Sequence, residues 1–225
     1  MPDADAPRPL RVMTYNLKGL QLDLDALVEV VRAAAPDVLG VQEPPRWLSG
    51  SARMRQFAAR VGLQVAVGGH GARTTALLVA PGVAVADARA YPLPWRLGRT
   101  RRGFAVARVD GVLIVVLHLA LEAAERLGHL DRVLDTLALE AAPRVVVGDL
   151  NEQPGGPTWH RLTASGLSDA ADLPLPTFTA VRPRRRLDAV LISPDLRVDG
   201  VRVPDDPAAR RASDHLPIVV DLSPA

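Results

Sequence analysis

The 225-residue chain contains no cysteine, which excludes disulfides, thiolate nucleophiles and thiolate metal sites. Lysine is almost absent too. Lys18 is the only one, so arginine supplies nearly all of the positive charge, and the net charge is only +2. The pI of about 9.6 reflects this arginine content rather than a large excess of cations. Arginine in place of lysine, with abundant alanine and valine, looks like the codon bias of a GC-rich genome, so most arginines need no functional reading. Long hydrophobic runs are missing as well. The longest, Val112 to Leu121, contains His118 and is far too short to span a bilayer. The start, Met1 to Pro7, is acidic and proline-rich, unlike the basic, apolar start of a secretory signal. Nothing looks like a linker, and 48% hydrophobic residues can bury a sizeable core. One domain over residues 1–225, with 1–9 flexible, is expected. A soluble, cytoplasmic, monomeric protein with no membrane insertion completes that expectation.

Several motifs are missing too. There is no G-x-x-x-x-G-K-[ST] and no G-x-G-x-x-G, so triphosphate and dinucleotide binding lack support. The histidines at 70, 118, 129, 160 and 215 form no H-E-x-x-H cluster, which disfavours zinc. No G-x-S-x-G elbow is found, and Ser213-Asp214-His215 are consecutive, so they cannot easily take the geometry of a serine triad.

What is present is a repeated junction. Five times an apolar strand runs up to, or starts from, a residue able to bind metal or phosphate. Leu10 to Tyr15 ends at Asn16, and Asp37 to Gln42 ends at Glu43. Val112 to Leu117 ends at His118, and Arg144 to Gly148 ends at Asp149-Leu150-Asn151. Ser213-Asp214-His215 opens the strand Leu216 to Leu222. Strand ends are rigid, and polar groups held there can be aimed at one point. Five such junctions predict an active site.

Strands and helices alternate. Asp23 to Ala35 has apolar residues at helical spacing behind acidic capping residues and stops at Pro36. A helix to Arg60 is predicted with Met54 and Phe57 inward. Gln64–Val67, Thr75–Val79 and Val83–Ala90 read as short strands joined by hairpins. Asp110-Gly111 marks a tight hairpin between Phe104–Val109 and Val112–His118. Glu122 to Glu140 is the longest helix pattern, and Pro157 to Ser165 a short one with Trp159 and Leu162 inward. Leu187–Ile192 and Val198–Val203 follow as strands. Many strands with three or four helices predict an α/β fold of two sheets packed face to face, with helices outside.

Asp149-x-Asn151 is the sharpest local element, since residues i and i+2 of an extended segment share a face. A carboxylate there can take a proton from water or bind a cation. An amide can donate to a phosphate oxygen without adding negative charge. The same spacing also serves as a turn cap. Glu43 ends a buried-looking strand, where a carboxylate is costly unless paired or metal-bound. Asp188, in Arg186-Leu187-Asp188-Ala189-Val190, is the natural carboxylate to orient His215, with the two strands lying side by side. Carboxylates and amides without thiolates suit a hard cation, Mg²⁺ with Mn²⁺ as substitute. Three arginine clusters stand out: Arg96/Arg99/Arg101/Arg102, Arg182/Arg184/Arg185/Arg186 and Arg210/Arg211. The last two abut Asp188 and Asp214 and favour an anionic substrate.

Taken in order, Thr14-Tyr15-Asn16, Pro36 to Glu43, His118-Leu119, Gly148-Asp149-Leu150-Asn151, Arg186 to Val190 and Ser213 to Pro217 resemble the motif series of the endonuclease/exonuclease/phosphatase (DNase I-like) superfamily. The match runs from about residue 10 to 222. The resemblance implies a four-layered α-β-β-α sandwich of two mixed sheets with outer helices, and Mg²⁺-dependent hydrolysis of a phosphate ester by water. By the same resemblance Glu43 is the principal metal ligand, with Asn16 and Asp214 close to the metal. Asp149 activates or positions water, Asn151 and His118 bind the phosphate, and His215, oriented by Asp188, is the acid/base group. Arg102 and Arg186 are further candidates for substrate contact. Departures are Leu117 where the family often has threonine, and the absence of a polar pair at the start of the strand at Thr74-Thr75. A phosphodiesterase or phosphatase is the first expectation, and a nuclease on DNA or RNA the second. A non-catalytic binding module on the same fold is a third, disfavoured because Glu43, Asp149 and His215 are all present. No long basic or aromatic insertion for gripping a duplex is present.

Overall fold

The computed structural model describes residues 9–46, 48–138, 143–171 and 175–225. Residues 1–8 and the last two residues of the expected Glu122–Glu140 helix lie outside them. In chain order the elements are β1 (Leu10–Asn16), α1 (Leu24–Ala34), β2 (Val38–Gln42), α2 (Gly50–Arg60), β3 (Gln64–Val67), β4 (Thr75–Val79) and β5 (Val85–Pro92). Then come β6 (Gly103–Val109), β7 (Val112–His118), α3 (Ala123–Leu137), β8 (Arg144–Asp149), α4 (Pro157–Ala164) and β9 (Ser168–Asp169). The chain closes with β10 (Asp188–Ile192), β11 (Leu196–Arg202), α5 (Pro207–Ala212) and β12 (Ile218–Pro224).

Local chemistry sets the helix ends. Asp23 caps α1 by accepting from the Ala26 N–H at 2.9 Å, and Glu122 caps α3 through the Ala124 and Glu125 N–H groups. Such caps satisfy donors that the first turn leaves unpaired. Pro36 prevents α1 from continuing.

Two six-stranded sheets form, with orders β11-β12-β1-β2-β4-β3 and β5-β6-β7-β8-β10-β9. Alternation along each strand sorts side chains into three apolar layers. Val12, Val38, Val116, Val147, Val190 and Val220 fill the space between the sheets. Outside the first sheet, α1, α2 and α5 set Leu27, Val31, Phe57 and Ala209 against Met13, Tyr15 and Leu39. Outside the second, α3 and α4 set Leu130, Val133, Trp159 and Leu162 against Val115, Leu117 and Val146. The fold is therefore a four-layered α-β-β-α sandwich. Among the described residues no helix is long and apolar enough to cross a membrane.

Strand direction brings the predicted junctions to one rim. β1 and β2 are parallel and end at Asn16 and next to Glu43. β7 and β8 are parallel and end at His118 and Asp149. β10 runs antiparallel to β8 with Asp188 opposite Asp149. β12 runs antiparallel to β1 with Ile218 opposite Thr14, so residues 213–217 enter at the same edge.

Some expectations need correction. β10 and β12 do not lie side by side; they belong to different sheets, and Asp188 and His215 meet across the sandwich. β3 and β4 pair as expected, but β5 crosses to the other sheet and pairs with β6. The last strand starts at Ile218 rather than Leu216, because Pro217 has no N–H for the ladder. Two short elements, β9 and α5, carry too few residues to show a period.

Gly148 adjoins Asp149 in β8. A Cβ there would lie 2.0 Å from the Leu117 carbonyl oxygen, at a φ of +148°. Gly148→Ala is expected to push β8 off β7 and to cost about 3 kcal/mol. Urea unfolding measures this, and a loss below about 1 kcal/mol would contradict the close approach of the two strands.

Candidate active site

The inner-face alternation that packs valines in the middle of the sandwich ends in polar groups at the rim. Val12 shares its face with Asn16, Val116 with His118, Val147 with Asp149, and Val190 with Asp188. Glu43 breaks the rule. It follows the outward-facing Leu39 and Val41, so strict alternation would aim it toward the helices. Its φ of +50° turns it instead, and Glu43 Oε1 lies 3.4 Å from Asn16 Nδ2 and 3.9 Å from His118 Nε2. The strained backbone is held on both sides. Gly19 N–H donates to the Glu43 carbonyl at 2.8 Å, and Glu43 N–H donates to the Thr74 carbonyl at 3.0 Å. Strain of this kind persists only where the surroundings enforce it.

Asp149 Oδ2 is the centre of the cluster. Asn16 Nδ2 donates to it at 3.2 Å, while His118 Nε2 and His215 Nε2 stand off at 3.8 and 3.7 Å. Those two gaps are too long for direct hydrogen bonds and suit a bridging atom. The His215 ring is fixed from behind, with Nδ1 2.8 Å from Asp188 Oδ2 and the Phe178 ring 4.9 Å away. Asp188 Oδ1 is buried with no partner among the described residues. Asn151 adopts φ +51°, which asparagine tolerates. Its N–H donates to Asp149 Oδ1 at 2.8 Å and its Nδ2 to the Leu119 carbonyl at 2.9 Å.

Burial and charge set the protonation states. Burial, reinforced by the neighbouring Asp188, pushes the Asp149 carboxyl up to about 7. For His215 burial disfavours the cation, but the charge and hydrogen bond of Asp188 together with Asp149 outweigh it, raising the imidazole to about 9. His118 goes the other way: burial and the nearby Arg102 hold it well below the usual range, so it is neutral.

The cluster Asn16, Glu43, His118, Asp149, Asn151, Asp188 and His215 is thus assembled at one rim. Arg102 stands behind it, donating to the His118 carbonyl at 3.1 Å. Two expected members sit differently. Asp214 Oδ2 is 2.9 Å from Lys18 Nζ, so a side-chain ammonium holds the carboxylate expected beside the metal. Arg186 is corrected from a substrate contact to a structural residue. It is buried, forks onto Asp169 at 2.7 and 2.8 Å, donates to the Asp188 and Ala171 carbonyls and lies 5.0 Å over Trp159. Lys18 and Phe178 escaped the sequence reading. For Lys18 a signal existed, because it is the single lysine and stands two residues from Asn16.

Metal ligation is tested by the donor set. Glu43 and Asp149 both approach the Asn16 amide, and Asp149 is buried with its negative charge only partly offset. Oxygen ligands around an under-compensated carboxylate fit a hard divalent cation. Asp149, Asp188 and His215 also form a compact group. There, however, His215 Nδ1 is taken up by Asp188, so that group reads as a hydrogen-bonded relay.

The relay has a measurable consequence. Folded His215 keeps its proton to about 9, whereas the unfolded chain releases it near 6.5. Between those values the folded state binds more protons, so stability falls as pH rises. Asp149, also raised, acts with the same sign below about 7. In EDTA the melting temperature is expected to drop from about pH 6.5 to 9, and His215→Gln should flatten that stretch. A wild-type profile already flat there would contradict the relay.

The model of the endonuclease/exonuclease/phosphatase family matches residues 13–215. Solved structures share the fold. An endonuclease/exonuclease/phosphatase from Beutenbergia cavernae DSM 12333 is 24% identical, with 97% of this chain and 72% of that one covered and a TM-score of 0.73. A mannosyl-6-phosphatase from Bacteroides thetaiotaomicron VPI-5482 is 17% identical, with 95% and 99% covered and a TM-score of 0.80. The human Nocturnin catalytic domain is 19% identical, with 98% and 96% covered and a TM-score of 0.71. No curated protein matches. With the family match spanning nearly the whole chain, from β1 to His215, the protein belongs to the endonuclease/exonuclease/phosphatase family.

Proposed function

We propose that the chain is a Mg²⁺-dependent phosphoesterase that hydrolyses a phosphate ester by in-line attack of water. The observation that carries this reading is the convergence of His118 and His215 on Asp149 Oδ2 at 3.8 and 3.7 Å, with Glu43 and Asn16 alongside. That spacing leaves room for an atom of water or phosphate between a carboxylate and two imidazole N–H groups.

Each side chain then has a task. Ionised Asp149 accepts the proton of the attacking water, and a carboxyl raised to about 7 is a stronger base than an ordinary one. His215, raised to about 9, is an imidazolium at neutral pH. Its Nε2–H can donate to a phosphate oxygen and later return a proton to the leaving group, while Asp188 fixes the ring. Neutral His118 donates to a second phosphate oxygen without adding charge. Asn151 Nδ2 keeps one N–H for the phosphate, the other being used by the Leu119 carbonyl. Glu43 would hold Mg²⁺ or Mn²⁺, which supplies positive charge against the phosphate and the leaving oxygen; Asn16 would join through Oδ1 only by giving up the Lys18 N–H it now accepts from. Asp214 joins them only if it exchanges Lys18.

A small phosphate ester is favoured over DNA. Arg186 is consumed by Asp169, Arg210 pairs with Asp205 and Arg211 with Asp23. Two of the clusters that could have gripped a polyanion are thereby partly spent within the protein. The mannosyl-6-phosphatase relative is a further support for a phosphatase on a small substrate.

The decisive experiment is an activity panel. A phosphomonoester, a phosphodiester and plasmid DNA are each assayed in EDTA and with Mg²⁺, Mn²⁺ or Zn²⁺. Turnover is expected with Mg²⁺ or Mn²⁺, none in EDTA, and a severe loss in Glu43→Gln. Asp149→Asn should lower the rate by roughly 10²–10⁴-fold. Full activity in EDTA, or Zn²⁺ surpassing Mg²⁺, would remove the ligand assignment. Efficient plasmid nicking at physiological salt would move the substrate to nucleic acid.

A further inference from the structure

Beside the catalytic rim lies a cavity of about 350 Å³, walled by Pro44, Pro45, Met54 and Ala76 and lined by Arg46, Arg73 and Arg101. We infer that this cavity is a second anion site, and that the preferred substrate carries a second phosphate next to the ester that is cleaved. This rests on the phosphoesterase reading and deepens it.

Three observations support the assignment. First, the cavity is cationic without compensation. None of its lining residues is a carboxylate, and among the described residues none of the three guanidiniums is ion-paired. Elsewhere Arg60, Arg161, Arg197, Arg202, Arg210 and Arg211 all face an aspartate. Three unpaired guanidiniums around one cavity make it a place that attracts an anion.

Second, the three arginines are tied to the catalytic groups through short, stiff connections. Arg46 follows Glu43 across Pro44-Pro45, and three residues span at most about 10 Å. Arg73 precedes Thr74, whose carbonyl accepts from Glu43 N–H at 3.0 Å. Arg101 precedes Arg102, whose guanidinium donates to the His118 carbonyl at 3.1 Å. These links put the cavity wall next in the chain to the groups that hold Glu43 and His118, within reach of a second phosphate on the same substrate. Third, Arg101 is not a loose surface charge: its guanidinium is stacked 4.2 Å over Trp95. A planar fork held in place is suited to the oxygens of a phosphate. The volume is at the low end for ligand pockets and matches a phosphorylated sugar or single nucleotide unit.

Binding in EDTA tests this without any need for turnover. Calorimetry compares adenosine 5′-monophosphate with adenosine 3′,5′-bisphosphate, which differ by one phosphate. The wild type is expected to prefer the bisphosphate by about tenfold, the scale of one charge-assisted hydrogen bond. In Arg46→Ala/Arg101→Ala the preference should fall toward unity, whereas Arg132→Ala, a charge removed from α3, should retain it. Arg73 is spared in the double variant because it adjoins Thr74, whose carbonyl holds the Glu43 N–H. A single-stranded tetrathymidylate forms the other arm. If it shows the same loss in the double variant and a steep salt dependence, the second phosphate belongs to a nucleic acid. A bisphosphate preference with shallow salt dependence assigns it to a small metabolite. Equal affinity for the two adenosine phosphates, or a preference that survives in the double variant, overturns the proposal. Since hydrolysis is never read, inactivity on every ester in the panel would count against the phosphoesterase reading alone.

Discussion

The apolar contact between the two sheets is the constraint on which the rest depends. Asn16 and Glu43 come from one sheet, and His118, Asp149 and Asp188 from the other, so the site exists only while the inner faces hold their register. Valines from both sides make that contact. Gly40 sits in that contact, where a Cβ would stand 2.5 Å from Val147 Cγ2. Interiors packed this closely deform little. Rigidity beneath the rim is what holds polar groups at distances of a few ångströms from one another.

Above that contact the electrostatics are left unfinished. Asp149 and Asp188 are both buried, and among the described residues His215, bonded to Asp188 and 3.7 Å from Asp149, is the cation that faces both carboxylates. Two carboxylates around one imidazolium leave net negative charge in a place where charge is costly. The same imbalance explains both perturbed groups: the acid resists ionising and the base resists losing its proton. Neutral His118, with Arg102 behind it, supplies donors without cancelling this negative charge. A site of this kind is incomplete until a cation and an anionic substrate arrive together.

Much of this was legible in the sequence because apolar strands ending in Asn16, Glu43, His118 and Asp149 are local patterns, and strand direction gathers such ends. The pairing of Asp188 with His215 was legible as chemistry but not as topology. Antiparallel neighbours and facing sheets leave the same trace in a linear pattern. The inward turn of Glu43 was illegible, since alternation points it outward and only the left-handed backbone at that residue reverses this. Arg186 misled for a related reason. Its partner Asp169 sits in a two-residue strand, too short for a periodic signal, so nothing in the sequence announced that the guanidinium was occupied. Arg46 and Arg73 belong to no run of charges, and folding alone brings them together with Arg101.

Lys18 has a chemical corollary. The chain contains a single ε-amine, and folding has placed it against Asp214, next to Asn16, with two-fifths of its side chain open to solvent. Arginine does not acylate under mild conditions, so the abundance of guanidiniums offers no competition. A reagent that seeks lysine therefore has one side-chain target in this protein, and it stands at the mouth of the site. Isotope, fluorophore or cross-linker attached there would report from the catalytic rim without any engineered handle.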